Sequence, residues 1–104
     1  MNLTATSAAA RSDEPAKILI VDDVPQNLVA MEALLQREGI QVLCAASGAQ
    51  ALELLLEHDV ALALLDVHMP EMDGFSLAEL MRGSQRSRHV PIIFLTASPN
   101  DPMR

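Results

Sequence analysis

Four short apolar runs dominate the hydrophobic pattern of the chain. They cover residues 18–21, 42–45, 61–65 and 92–95. Each run is continuous rather than alternating with polar residues, which is typical of strands whose two faces are both covered, as in a parallel sheet. We therefore predict four buried parallel strands.

Helical patterns fill the three intervals between these runs. Apolar residues recur at helical spacing over residues 28–35, a capping-box spacing opens a second helix at residues 47–50, and a third helix begins near Gly74 and ends before Gly83. The side chains expected to face the sheet are Leu28, Met31, Leu34, Leu35, Leu52, Leu55, Leu56, Leu77, Leu80 and Met81. The resulting order βαβαβαβ predicts an open parallel sheet covered by helices.

Composition limits the chain to one small domain. Its 104 residues carry a formal net charge of −7, the wrong sign for direct binding of a nucleic-acid backbone or an anionic membrane surface. The single cysteine cannot form an internal disulfide or a thiolate zinc site, and no apolar run approaches the ~20 residues of a membrane span. We expect a cytoplasmic protein with a flexible tail over residues 1–16 and one folded domain over residues 17–104.

Polar side chains follow three of the four predicted strands. Asp22 and Asp23 follow the first strand, Asp66 ends the third, and Thr96 follows the fourth. Ligands of open parallel sheets bind at the carboxyl ends of the strands, so we expect these side chains to converge. Converging carboxylates repel one another unless a cation joins them, and Mg²⁺ prefers oxygen ligands. The pattern predicts a magnesium site.

Each of these residues also has a purely structural explanation. An aspartate between a strand and a helix is often only an N-cap, and Thr96 alone is more often bonded to the backbone. His68 is favoured as an exposed loop residue over a metal ligand, because no second histidine or cysteine lies at ligand spacing. The magnesium hypothesis therefore depends on the three carboxylates lying together, and not on any one of them alone.

Three longer stretches make the chain resemble the receiver domain of two-component response regulators. They are residues 18–23 (ILIVDD), 64–74 (LLDVHMPEMDG) and 91–97 (PIIFLTA). The resemblance implies a flavodoxin-like (CheY-like) fold and a place in a phosphorelay. In such a relay Asp66 would take a phosphoryl group from a sensor histidine kinase or a phosphotransfer protein. The domain would catalyse its own phosphoryl transfer and would not by itself be a conventional enzyme, and the resemblance leaves open that it is part of a larger histidine kinase or regulator.

The same resemblance assigns the other site roles. Mg²⁺ would be held by Asp22, Asp23, Asp66 and the backbone carbonyl of His68. Thr96 would be the switch hydroxyl that turns toward the phosphate. The backbone N–H groups expected to bind phosphoryl oxygens are those of Val67, His68 and Ala97. Donors in these places would stabilise the charge of the transferring group, which is where most catalysis of phosphoryl transfer lies.

The sequence departs from the receiver pattern after the fourth strand. The family continues with a helix, a strand that ends in a lysine beside the phosphate, and a last helix. The only lysine here is Lys17, roughly 15 Å from the carboxylates at ~3.3 Å per strand residue. We expect a truncated receiver with impaired phosphoryl chemistry, which forms a homodimer or a higher assembly through its open fourth-strand edge and its exposed sheet faces.

Two other functions are compatible with parts of this pattern. A phosphorylation-independent binding or dimerisation module would use only the exposed fourth-strand edge. A hydrolase of the haloacid-dehalogenase type would need a second aspartate two residues after the nucleophile, where this chain has His68, and a distant lysine. We favour the receiver, with the binding module as the alternative.

Overall fold

The computed structural model of the chain describes residues 14–96, which form one sheet and three helices. None of the three helices is long and apolar enough to cross a membrane. Of the predicted tail, residues 1–13 lie outside the described residues, and the first strand already begins at Ala16. The elements in chain order are β1 (Ala16–Val21), α1 (Pro25–Leu35), β2 (Ile40–Ala45), α2 (Gly48–Glu57), β3 (Leu62–Asp66), α3 (Gly74–Arg82) and β4 (Ile92–Leu95).

The four strands form a parallel sheet in the order β2-β1-β3-β4, which confirms the predicted fold class. β1 and β2 each begin two residues before the predicted apolar runs. In the register of the sheet, Val21 pairs with Ala45 on one side and with Leu65 on the other. Asp66 in turn pairs with Leu95. The carboxyl ends of β1, β3 and β4 therefore meet at the same edge.

The core lies between the sheet and helices α2 and α3. Right-handed crossovers explain this arrangement, because the chain moves in one direction from β1 to β2 and in the other from β2 onward, which places α1 on the opposite face. The side chains of the core cluster that are completely inaccessible to solvent are Leu19, Val21, Ala45, Ala51, Ala63, Leu65, Leu77 and Met81. No residue of α1 is fully buried.

Three side chains predicted to face the sheet are exposed instead. Leu34 retains 73% of its surface, Leu56 71% and Leu80 49%. Leu56 and Leu80 lie about 100° around their helices from the core residues Leu55 and Met81, and so lie at the border of the covered stripe. Leu34 belongs to α1, which has no fully buried residue. The apolar pattern was therefore wider than the face that each helix buries.

Candidate functional site

Three carboxylates meet at the carboxyl edge of the sheet. Asp22 and Asp23 directly follow β1, and Asp66 is the last residue of β3. One oxygen of each lies within 4.8 Å of the others, and within residues 14–96 no other group of acidic, histidine or cysteine side chains is positioned to hold a metal ion. Asp22 and Asp66 are buried, whereas Asp23 is more exposed. The predicted convergence is confirmed.

Asp22 is oriented by two hydrogen bonds from the start of α1. The backbone N–H of Val24 donates to Oδ1 at 2.9 Å, and Nδ2 of Asn27 donates to Oδ2 at 3.1 Å. The N-cap of α1 is Val24, which caps with no side chain, and Pro25 begins the helix. Neither Asp22 nor Asp23 is thus an N-cap, so helix capping does not account for either aspartate.

The surroundings of Asp66 change the pKa of its carboxyl group. Burial raises its pKa above the ordinary value, and the charges of Asp22 and Asp23, together with a hydrogen bond to Asp23, raise it further. The backbone N–H of His68 donates to Oδ1 of Asp66 at 3.1 Å and acts in the opposite direction. The raised pKa of Asp66 therefore reflects both its burial and the crowding of three carboxylates.

The loop between β3 and α3 fixes the position of Asp66. The N–H of Gly74 donates to the carbonyl of Val67 at 3.1 Å, which brings the start of α3 against the end of β3. A Cβ atom on Gly74 would lie 3.0 Å from the carbonyl carbon of Asp66 and 3.1 Å from Cα of Val67. The N-cap of α3 is Asp73, whose side chain accepts a hydrogen bond from the N–H of Ser76 at 2.8 Å.

The other predicted site residues are Val67, His68, Thr96 and Ala97, and they do not all lie at the carboxylates. The N–H of Val67 donates to the carbonyl of Leu95 at 3.0 Å, so the β3–β4 ladder already occupies this expected phosphate donor. The N–H of His68 lies at the cluster, and the imidazole of His68 is exposed, as its loop position predicts. Thr96 borders the same cavity, and Ala97 lies outside the described residues.

A cavity of about 480 Å³ opens over the carboxylates. Its polar lining comes from Asp22, Asp23, Asn27, Asp66, His68 and Thr96. Sequence reasoning missed Asn27, although its position in the first turn of a helix that starts beside Asp22 and Asp23 was a usable signal. The cavity is thus open and acidic, and three carboxylates, an imidazole, a hydroxyl and one amide line it together with apolar side chains.

Lys17, the only lysine of the chain, lies far from the carboxylates, as the sequence predicts. Nζ of Lys17, near the amino end of β1, donates a hydrogen bond to Nδ1 of His58 at 3.2 Å. His58 is the C-cap residue of α2. Lys17 is therefore engaged at the amino end of β1 and supplies no positive charge to the carboxylates at the other end.

Comparison with known proteins identifies relatives that are similar in sequence. The chain is 43% identical over 84 residues to the transcriptional regulatory protein GltR of Pseudomonas aeruginosa, covering 81% of this chain and 35% of GltR. It is 40% identical over 83 residues to a probable cyclic di-GMP phosphodiesterase of Vibrio cholerae, covering 80% of this chain and 19% of that protein. The chain thus spans about a third or less of the length of these relatives.

Solved structures match the same fold. The N-terminal domain of a response regulator receiver protein from Methanoculleus marisnigri superposes with a TM-score of 0.75 at 36% identity, over 83% of this chain and 70% of that one. The response regulator TrrA of Thermotoga maritima, solved in complex with Mg²⁺ and BeF, superposes with a TM-score of 0.72 at 32% identity, over 80% of this chain and 70% of that one. The response regulator receiver domain model matches residues 18–104, and the chain belongs to this family.

Proposed function

We propose that this chain is a cytoplasmic phosphoacceptor module that receives a phosphoryl group on Asp66 from the phosphohistidine of a sensor histidine kinase or a phosphotransfer protein. The observation that carries this proposal is the position of Asp66. It is buried at the end of β3, opens into the acidic cavity and lies beside two further carboxylates. Membership of the receiver family supports the same role.

The donor set of the cluster fits a hard divalent cation. Three carboxylate oxygens within 4.8 Å of one another match the preference of Mg²⁺ for a few carboxylates and several waters. Asp22, Asp23 and Asp66 would hold the ion, with the backbone carbonyl of His68 as a further ligand. Bound Mg²⁺ would neutralise negative charge on the phosphoryl oxygens and on the cluster. The Mg²⁺ and BeF of the Thermotoga relative support this proposal.

Phosphoryl transfer to Asp66 needs a nucleophilic oxygen in line with the leaving group. An Oδ atom of Asp66 forms the new O–P bond while the P–N bond to the donor imidazole breaks, and the donor nitrogen keeps the electron pair of that bond. The N–H of His68 lies beside Oδ1 and is placed to donate to an equatorial phosphoryl oxygen. Thr96, at the border of the cavity, supplies the switch hydroxyl.

Labelling by a small phosphodonor tests this proposal. Incubation with radiolabelled acetyl phosphate and Mg²⁺ should give an acid-stable, base-labile label on the wild-type chain. We expect this labelling to be slow, because the only lysine, Lys17, contacts His58 and not the carboxylates. Asp66→Asn should abolish the label. Asp59→Asn is the matched control, because the Asp59 side chain is 92% exposed and pairs with Arg86 at 3.4 Å, away from the cluster. An unlabelled wild-type chain, or an equally labelled Asp66→Asn variant, would contradict the proposal.

A second candidate function is self-association through β4 without phosphorylation. Within the described residues β4 pairs with β3 alone, and Ile93 is 51% and Phe94 38% exposed. The ring of Phe94 packs against that of Phe75, with the centroids 4.7 Å apart, and Phe75 is itself 54% exposed. Apolar side chains along an unpaired strand edge favour pairing with a second chain.

The mass of the particle in solution tests self-association. Light scattering coupled to size exclusion should give a dimer for the wild-type chain and a monomer for Phe94→Ser. The matched control is Val29→Ser, which removes a 68% exposed apolar side chain from α1 and should leave the dimer intact. A wild-type monomer at micromolar concentration would exclude this candidate function and would not affect the phosphoacceptor proposal.

A further inference from the structure

We infer that Asn27 is a positioning residue that sets the cation affinity of the site through Asp22. Within residues 14–96, Asn27 is the only residue outside the cluster whose side chain donates a hydrogen bond to one of the three carboxylates. This inference rests on the proposed function, because it assumes that the carboxylates hold a divalent ion. It adds a residue that lies outside all three motifs of the receiver resemblance.

Two hydrogen bonds, the Val24 arm and the Asn27 arm, hold the carboxylate of Asp22, one on each oxygen. The Val24 N–H holds Oδ1 at 2.9 Å, and the Asn27 amide holds Oδ2 at 3.1 Å. The Val24 arm is backbone and is present whatever the side chain at that position. The Asn27 arm depends on one side chain, whose own backbone N–H is anchored to the Val24 carbonyl at 3.0 Å in the first turn of α1. Without Asn27, rotation about χ2 of Asp22 is restrained from one side only.

The two hydrogen bonds leave Asp22 able to bind a cation. Each carboxylate oxygen has two acceptor sites, so one N–H on each oxygen leaves one site per oxygen for an ion or its water. An amide is also the suitable chemistry at this place, because it donates without adding charge. A fourth carboxylate would increase the repulsion within the cluster, and a cationic side chain would compete with the ion.

Loss of a partner that orients a metal ligand typically lowers metal affinity about 10- to 100-fold. Because the Val24 arm remains, we expect a value near the lower end, about a 10-fold weaker Mg²⁺ affinity, for Asn27→Ala. The variant should fold normally, since alanine is a better helix former than asparagine. Asn27→Leu, which preserves the approximate shape of the side chain and removes the donor, should weaken binding similarly.

The test is a titration of the isotope-labelled chain with Mg²⁺ alone, followed through the backbone amide resonances of residues 22–24 in two-dimensional NMR spectra. The matched control is Gln26→Ala, one residue earlier on the same helix. The amide of Gln26 is exposed and makes no hydrogen bond to the three carboxylates. Gln26→Ala should keep the wild-type half-saturation. Acetyl phosphate labelling of the same variants then separates affinity from rate: Asn27→Ala should need about 10-fold more Mg²⁺ but reach the wild-type rate at saturation.

Each outcome decides the inference separately from the proposed function. A right-shifted Mg²⁺ curve with unchanged metal-free stability supports the role of Asn27, even if the wild-type chain accepts no label. An unshifted curve in both Asn27 variants overturns it, even if Asp66 is labelled. The inference is also overturned if both Asn27 variants shift the Mg²⁺ curve and are equally less stable than the wild-type chain without metal, because the role of Asn27 is then structural.

Discussion

Replacing Gly74 with alanine tests how closely α3 must approach the strand that carries Asp66. The added Cβ would lie 3.0 Å from the carbonyl carbon of Asp66 and 3.1 Å from Cα of Val67, and closer still to the carbonyl oxygen of Asp66. Two of these atoms belong to Asp66, the last residue of β3, and the third belongs to Val67, whose N–H donates to the carbonyl of Leu95 at 3.0 Å. No side-chain rotation relieves the contact, so either α3 or the end of β3 has to move.

The expected loss of stability follows from this geometry. Overpacking a well-packed interior by one methyl group costs about 1–3 kcal/mol, and a rigid backbone neighbour places Gly74→Ala in the upper half, at about 2–3 kcal/mol. Each kcal/mol shifts the unfolding temperature of a domain of this size by about 4–8 °C. We therefore expect a decrease of about 10–20 °C in the midpoint of thermal unfolding.

Gly83→Ala is the matched control at the other end of the same helix. A Cβ on Gly83 would meet its nearest atoms at 3.6 and 3.7 Å, which is ordinary contact, and the residue has φ −82° and ψ −6°, which alanine readily adopts. The substitution should stabilise the chain by about 0.4–1 kcal/mol, because it reduces the conformational freedom of the unfolded state. The two substitutions should therefore change the free energy of unfolding in opposite directions.

Urea unfolding followed by far-ultraviolet circular dichroism measures both effects, since the chain contains no tryptophan for fluorescence. A shift in midpoint at constant slope reports stability alone. A decrease below about 0.5 kcal/mol for Gly74→Ala, within the range of an ordinary surface substitution, would refute the argument that the backbone contact is rigid. An equal decrease in Gly83→Ala would show that the loss of stability does not come from the backbone contact at Gly74.

Three further predictions concern the core, the cap of α3 and the cation. Leu77→Ala should lower the free energy of unfolding by about 2–5 kcal/mol in urea, because the side chain is fully buried, whereas Leu56→Ala, at 71% exposure, should change it by less than about 0.5 kcal/mol. Asp73→Ala should destabilise the chain at neutral pH, because hydrogen bonds from Ser76 hold the pKa of Asp73 below its ordinary value of 3.8. This contribution is fully present above 3.8 and is lost as the pH falls through the lower folded pKa, so the unfolding midpoints of the two chains should converge in acid. Mg²⁺ at 100 times its dissociation constant should raise the free energy of unfolding by about 2.7 kcal/mol, and Asp23→Asn should remove most of this gain; an equal gain in both chains would place the ion elsewhere.

Much of the candidate site was predictable because it lies on element ends. The apolar runs locate the strands, and the carboxyl ends of neighbouring parallel strands meet at one edge, so Asp22, Asp23 and Asp66 could be brought together without coordinates. Asn27 could not be placed in the same way. Its role depends on the direction of one amide in the first turn of α1, which the Val24 turn and Pro25 decide.

Burial was less predictable than element type. Leu34, Leu56 and Leu80 continue the apolar pattern of their helices but are exposed, because the width of the buried stripe depends on what packs against each helix. The resemblance offered the N–H of Val67 as a phosphate donor, but the register of β3 with β4 engages it with Leu95. Both differences concern contacts between residues that are distant in the chain.

By itself, the sequence determined the order of strands and helices, the acidic balance and the three carboxylates at strand ends. These features depend on local periodicity and on the rule that parallel strands present their carboxyl ends together. Only the tertiary structure decided that the three carboxylates lie within 4.8 Å, that burial and mutual repulsion raise the pKa of Asp66, and that Gly74 lies against the backbone of Asp66. The physical reason is that distance and solvent exclusion at the site depend on how β1, β3 and α3 pack together, which no single segment specifies.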